Sequence, residues 1–296
     1  MEDVDKPVIA TPFGRFRCFE DQFADDLRRY GAHQRSDLAV MLSLVQPGDA
    51  VVDVGAFVGT VSVPLARAVG PRGRLYCFEP VPEHHELLVE NLAENGVAEQ
   101  STAVNALVGE RSATGAFTAS SWEMSTATTT FLPTSHANAD DDRELVSWRL
   151  DDWFAAHAAD HPRIRLMKVD VEGMELAVLK GAAGLIDADR PIIEIEVGGG
   201  RDGRIRETAK FLRDHRYRLV LNLAPRDSAS DTYRLGPLRS LALLGDMLSD
   251  VVAVPRELPL PVVLEASWVE THATVIASRH RLRARWRRLV SRIARR

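Results

Sequence analysis

Ala50-Val51-Val52-Asp53-Val54-Gly55-Ala56-Phe57-Val58-Gly59 is the stretch that decides how this chain folds. Its first five residues are apolar apart from one acid, the length of a buried strand, and Gly55 and Gly59 bracket a tight turn. A second apolar run, Arg74 to Phe78, follows at the spacing of a helical crossover and ends on Glu79-Pro80. Strand, glycine turn, helix, strand and carboxylate, in that order, form the pattern with which an α/β sheet grips an adenosine-bearing ligand. The bland alternative is a tight strand-to-helix connection with no ligand. Pro64 adds a restriction: the helix begins near Thr60 to Ser62 or is kinked, because proline disrupts a helix interior.

Outward from this stretch, strand and helix signals alternate. Residues 1–46 read as a lead-in, with Gly14 to Phe19 alternating like a short strand and Ser36 placed to cap a helix through Val45. Residues 47–222 read as the core. After the two strands already named come a helix over Glu83 to Asn95, a strand over Ser101 to Val108, and another over Ile164 to Val169. A helix from Glu175 to Ala183 stopped by Gly184, a strand from Pro191 to Val197, a helix from Arg204 to His215 and a strand from Tyr217 to Asn222 complete it. Strands joined through helices imply a mostly parallel sheet flanked by helices. Within the core, residues 110–163 form a variable excursion rich in Ser, Thr and Ala, before Asp151-Asp152-Trp153-Phe154 restores helical character. Residues 223–278 read as an extension in which Val251 to Val254 and Thr274 to Ala277 are expected to close the sheet edge.

Composition sets the outer bounds. The 45% hydrophobic and 27% charged shares are those of an ordinary globular protein, and no apolar run approaches a membrane span. The acidic start lacks a secretory signal, and Cys18 and Cys77 are too few and too distant for a disulfide framework, so a cytoplasmic location is expected. The net charge of −5 hides an asymmetry: residues 279–296 carry nine arginines and no acid. Leu282, Trp286, Leu289, Val290 and Ile293 fall on one face there, an amphipathic basic helix suited to an anionic membrane surface. The competing readings are docking on the acidic body, docking on a partner, or disorder; nucleic acid is disfavoured because the body is acidic.

The identity of the ligand turns on Phe57. A dinucleotide turn has a second glycine there, so that bare backbone can touch a pyrophosphate. Phe57 therefore argues for adenosine without a diphosphate, and S-adenosylmethionine (SAM) is such a ligand. Asp53, Gly55, Ala56 and Gly59 would then form its cradle, and Glu79 would accept from both ribose hydroxyls. Asn105, or the backbone around Ala106, would meet the adenine edge, unless Asn105 simply ends its strand.

These residues, with Phe78-Glu79-Pro80-Val81-Pro82, Asn91, Asn95-Gly96, Leu150-Asp151-Asp152, Met167-Lys168-Val169-Asp170-Val171-Glu172-Gly173-Met174-Glu175 and Arg190-Pro191-Ile192-Ile193-Glu194-Ile195-Glu196, resemble the FkbM family of SAM-dependent methyltransferases. The resemblance spans about residues 45 to 200, and the Asp-Val-Glu-Gly-x-Glu block is its most specific part. It implies a class I methyltransferase with a Rossmann-like α/β fold, commonly an O-methyltransferase acting on sugar or natural-product hydroxyls. Phe57 departs from the family, which usually shows Asn there.

Methyl transfer to oxygen needs alignment, exclusion of water and usually removal of the hydroxyl proton. Those groups belong beyond the carboxyl ends of the strands, which selects Asp170, Glu172 and Glu196. Three readings of this cluster compete: a catalytic base; a divalent metal site, less favoured; or a structural role in which Glu172 and Glu175 cap the next helix or bond loop amides. Lys168 would share the face of Asp170 and pair with an acid. Among nine histidines His33, just before a helix in the lead-in, is the one to test. Trp122 and Trp148 would line an acceptor pocket or simply pack. The leading expectation is a SAM-dependent O-methyltransferase for a sugar, glycoside or secondary metabolite. The alternatives are a SAM-binding scaffold tethered by its basic tail, and a nicotinamide-dependent oxidoreductase, which Phe57 disfavours.

Overall fold

The structure is a computed structural model that describes residues 6–119, 131–133, 143–171, 173–197, 204–222, 235–237 and 249–259. Glu172, Trp122, the Thr274 to Ala277 strand and the basic helix of residues 279–296 lie outside the described residues.

The lead-in is more structured than its sequence pattern suggests. β1 (Val8–Thr11) and β2 (Gly14–Arg17) form an antiparallel hairpin, its turn held where the Thr11 hydroxyl accepts from the amides of Phe13 and Gly14. The strand read over Gly14 to Phe19 thus stops at Arg17. α1 (Gln22–Tyr30), for which no helix was expected, starts where the Asp21 carboxylate accepts from the Ala24 amide at 3.1 Å and ends at Gly31. α2 (Arg35–Leu44) begins one residue before Ser36, so Ser36 is an interior helical residue, fully buried, rather than the cap.

β3 (Ala50–Val54) is buried along its whole length, as its near-continuous apolar run requires between two layers of helices. α3 (Ser62–Val69) starts at Ser62, which keeps Pro64 in the first turn, where its missing N–H is harmless. β4 (Arg74–Phe78), α4 (Pro82–Glu94) and β5 (Ser101–Val104) follow. The expected single strand to Val108 breaks at Asn105. β6 (Leu107–Val108) joins β7 (Ala113–Ala119), β8 (Phe131–Pro133) and β9 (Arg143–Trp148) in a separate four-stranded sheet. Then come α5 (Leu150–His157), β10 (Ile164–Val169), α6 (Glu175–Gly181), α7 (Ala183–Asp189), β11 (Ile192–Val197), α8 (Arg204–Asp214), β12 (Tyr217–Asn222), β13 (Leu235–Pro237) and β14 (Ser249–Pro255). Gly184 lies inside α7 and does not stop a helix, the break falling instead at Ala182.

The main sheet has the order β13-β12-β14-β11-β10-β3-β4-β5. β5, β4, β3, β10 and β11 run parallel, while β14 is antiparallel to both of its neighbours, β11 and β12. β14 therefore does not close the edge, as expected for Val251 to Val254; it inserts between two strands, and β13 lies outside β12. The two sheet faces pack separately. Val51, Leu166, Ile192 and Val252 meet α1 to α4 and the hairpin, whereas Val52, Met167, Ile193 and Ala253 meet α5 to α8. Alternation along each strand sends successive side chains to opposite layers, so the polar residues that share the first face become neighbours.

Candidate active site

The turn after β3 is fixed by contacts its glycines permit. Gly55 has φ +83°, and a Cβ there would lie 1.8 Å from the Asp170 carbonyl oxygen, so the ends of β3 and β10 meet backbone to backbone. The Asp170 amide donates back to the Val54 carbonyl at 3.0 Å. The Gly55 and Ala56 amides both donate to the Phe78 carbonyl, the Phe57 amide to Glu79 Oε2 at 2.8 Å, and the Gly59 amide to the Ala56 carbonyl. A phosphate-binding turn needs such N–H groups aimed at the ligand. Here those four are consumed inside the protein, which leaves acceptors to meet a ligand that brings its own donors.

Phe57 occupies the left-handed region at φ 49°, where a bulky residue is strained and Asn is better tolerated. Its ring is clamped edge-on by Phe23 of α1 at 4.9 Å and by His84 of α4 at 4.5 Å. The lead-in thus packs directly on the turn.

Glu79 is 5% exposed. Besides the Phe57 amide it accepts from the Val81 amide at 3.0 Å through Oε1, and His84 Nδ1 lies 3.4 Å from that oxygen. A carboxylate has about four acceptor positions, so lone pairs remain for hydroxyl donors. Asn105 spends both its N–H groups on the Glu79 and Pro80 carbonyls, at 2.9 and 3.1 Å. Its amide fastens the loop that carries Glu79, and only its oxygen is left for an adenine edge.

The neighbouring strand ends carry a row of buried charge. Asp53 on β3, Lys168 on β10 and Glu194 on β11 are partners in adjacent registers, and none is more than 4% exposed. The Lys168 ammonium lies 3.2 Å from Asp170 and 3.7 Å from Asp53, whose other oxygen accepts from Ser62 Oγ at 2.6 Å. Burial opposes the ammonium, but Asp170, Asp53 and Glu194 outweigh it and hold its pKa above the ordinary lysine value. Burial also pushes both aspartates upward. At Asp53 burial wins over Lys168 and Ser62, whereas at the closer Asp170 the ammonium, with hydrogen bonds from Glu196 and Lys168, holds the pKa below the usual range. Glu194 is driven well up by burial and by Asp37, against the pull of Lys168. Glu196, at the end of β11, thus helps Lys168 to keep Asp170 ionised.

Of the residues expected to act together, Asp53, Gly55, Asp170 and Glu196 converge at the ends of β3, β10 and β11, with Ala56, Gly59 and Glu79 across the turn. Glu175 follows the structural reading, its Oε1 accepting from the Gly173 amide at 2.6 Å. Trp148 packs against His157 and the second core. His33 sits 5.1 Å from the Phe23 ring, with Nδ1 3.8 Å from Asp26. Asp37 of α2 was not anticipated, and Ser36 only as a helix cap; Asn222 at the end of β12 donates to Asp37 at 2.7 Å and to Ser36 at 3.2 Å. No local motif marks them, since the contact spans 185 residues. Among the described residues no group of three or more His, Cys, Asp or Glu is arranged to hold a metal ion.

A mostly parallel sheet with a reversed strand, β14, inserted near its end and a second, β13, at its edge, a glycine turn after β3 and an acid after β4 define a class I methyltransferase fold. The methyltransferase FkbM domain matches residues 53–219, more than half of the chain. The chain belongs to the FkbM family of SAM-dependent methyltransferases. A protein-L-isoaspartate O-methyltransferase of Aeropyrum pernix is 48% identical over 58 residues, which cover 19% of this chain and only 22% of that relative's length. Among solved structures, a methyltransferase FkbM from Methylobacillus flagellatus superposes with TM-score 0.47 at 17% identity, over 71% of this chain and 44% of that one. The O-methyltransferase TomG from Streptomyces achromogenes, solved with SAM, gives TM-score 0.45 at 14% identity, over 80% and 90% of the two chains.

The residues present fit SAM. The turn's consumed amides suit a ligand without phosphate and Glu79 retains acceptor positions for a ribose, while Asp53 lies fully buried beneath the turn with Oδ1 3.7 Å from the Lys168 ammonium.

Proposed function

We propose that this protein transfers the methyl group of SAM to a hydroxyl of a small-molecule acceptor, a sugar, glycoside or secondary metabolite. When bound, SAM supplies an electrophilic methyl carbon on sulfur. Glu79 would hold the ribose hydroxyls, the Asp53 to Gly59 turn would seat the methionine end, and Asn105 would border the adenine. The acceptor hydroxyl would lie over Asp170 and Glu196, with Glu172 following Asp170 in sequence. The observation that carries this reading is the Asp170–Gly55 contact: the acid's own backbone touches the glycine turn, which supports a place for its carboxyl between cofactor and acceptor.

Asp170 remains ionised because Lys168 stabilises it, and it would accept the hydroxyl's hydrogen bond and orient the oxygen toward the methyl. Low basicity makes Asp170 a better orienting group than proton sink. As its oxygen gains the methyl the hydroxyl becomes strongly acidic, so the Asp170 carboxylate would take its proton late in the transfer and pass it by way of Glu196 to solvent. Asp170→Asn and Glu196→Gln should each lower kcat by about 10²-fold or more, the range of general acid–base contributions, with SAM affinity nearly kept. Full turnover in both variants on an identified acceptor would remove the two acids from the reaction.

For residues 279–296 the favoured role is peripheral contact with anionic membrane, argued from the arginine-rich amphipathic pattern. Truncation after Ser278 should abolish pelleting with anionic vesicles; unchanged pelleting would refute it.

A further inference from the structure

Asn91 on α4 is 1% exposed and its side-chain amide is fully used. Oδ1 accepts from the Arg17 amide at 2.7 Å, while Nδ2 donates to the Arg17 carbonyl at 2.9 Å and to the Val58 carbonyl at 2.8 Å. One turn along, Asn95 repeats the first half of this pattern, accepting from the Arg15 amide at 3.0 Å and donating to the Arg15 carbonyl at 2.7 Å. The two asparagines pair with alternate residues of β2 as a neighbouring strand would, and so attach the N-terminal hairpin to α4. Only Asn91 also reaches the cofactor turn. From the other side of that turn Phe23 of α1 closes on the strained Phe57.

From these contacts we infer that Asn91 is a positioning residue for the SAM turn: it couples docking of the N-terminal hairpin to the conformation of Phe57 to Gly59, so residues 6–34 form a structural part of the cofactor site. Val58 lies between the two residues whose amides close the turn, Phe57 and Gly59. A hydrogen bond to the Val58 carbonyl fixes the peptide plane between Val58 and Gly59, and with it the direction of the Gly59 amide. Asparagine serves where aspartate cannot, because two of the three partners are carbonyls and need donors. This rests on the SAM reading for its functional consequence, though not for the mechanical link.

The test compares Asn91→Asp with Asn95→Asp in the full chain, by amide hydrogen exchange without ligand and by calorimetric titration with SAM. Asn91→Asp keeps the acceptor for Arg17 and loses both donors, so exchange should rise at Phe57 and Gly59 as well as in β2. SAM should bind about tenfold more weakly, the consequence of one lost hydrogen bond. Asn95→Asp should loosen the hairpin alone and leave SAM affinity within about threefold. Unchanged protection of the turn in Asn91→Asp, or equal loosening by the two variants, overturns the inference. Because exchange is read without ligand, failure of the wild type to bind SAM would defeat the cofactor reading while the exchange comparison still decides the role of Asn91. Should Asn91→Asp not fold, Asn91→Ser, which adds no buried charge, supports the same comparison.

Discussion

Phe57 shows how a single side chain carries two messages. Read as the residue where a dinucleotide turn needs glycine, it argued against a pyrophosphate, and the structure adds that the surrounding amides are already bonded inside the protein. Its left-handed φ and its clamp between Phe23 and His84 were not legible, since both partners come from other elements. Gly55 was legible as a turn residue but not as the point where two strand ends touch. Gly55→Ala would set a Cβ 1.8 Å from a backbone oxygen at a φ that disfavours side chains, so β3 and β10 must separate. That variant should lose SAM binding entirely in a calorimetric titration, and binding within twofold of wild type would refute the contact. Glu79 is subtler: both its oxygens accept backbone N–H groups, so Glu79→Gln must aim an NH2 at one of them. Its SAM affinity should fall at least about tenfold, more than the loss of a ribose contact through charge alone would suggest.

Strands β3, β4, β10 and β12 begin and end where their sequence patterns place them, because each is a short apolar run bounded by a polar or turn residue. α1 escaped notice because only Phe23, Ala24 and Leu27 among its nine residues are apolar enough to make a stripe. The insertion of β14 is a matter of pairing partners, which alternation along one strand does not encode. Adjacent registers also create the Asp53–Lys168–Glu194 row, in which one ammonium serves several carboxyls. Lys168→Met should destabilise the fold by about 3–5 kcal/mol in denaturant unfolding, because it leaves Asp53 and Asp170 buried without their cation. Glu194 has the opposite sign. Its pKa is raised by folding, so the native state holds a proton that the unfolded chain releases, and stability falls as pH rises from the ordinary glutamate value through the raised one. Glu194→Gln should therefore raise Tm more at pH 8 than at pH 5. An equal shift at the two pH values would show that Glu194 titrates normally.

Across the whole molecule, the family match covers residues 53–219, while the lead-in lies outside it. The hairpin, α1 and α2 cover one sheet face and bring His33, Ser36 and Asp37 toward the ends of β10 to β12, so acceptor choice should reside largely in this covering layer. Such a layer resists reading from sequence: its contacts join residues up to 186 positions apart, and no local spacing announces them. The groups proposed to recognise the cofactor, by contrast, form a compact set around one turn. Isothermal titration of the purified chain with SAM, S-adenosylhomocysteine and NAD addresses that set directly. Stoichiometric binding of SAM and S-adenosylhomocysteine, no heat with NAD, and loss of the SAM signal in Gly55→Ala are the predicted results. A wild-type protein that ignores SAM, or that binds NAD in its place, would contradict the assignment of the turn.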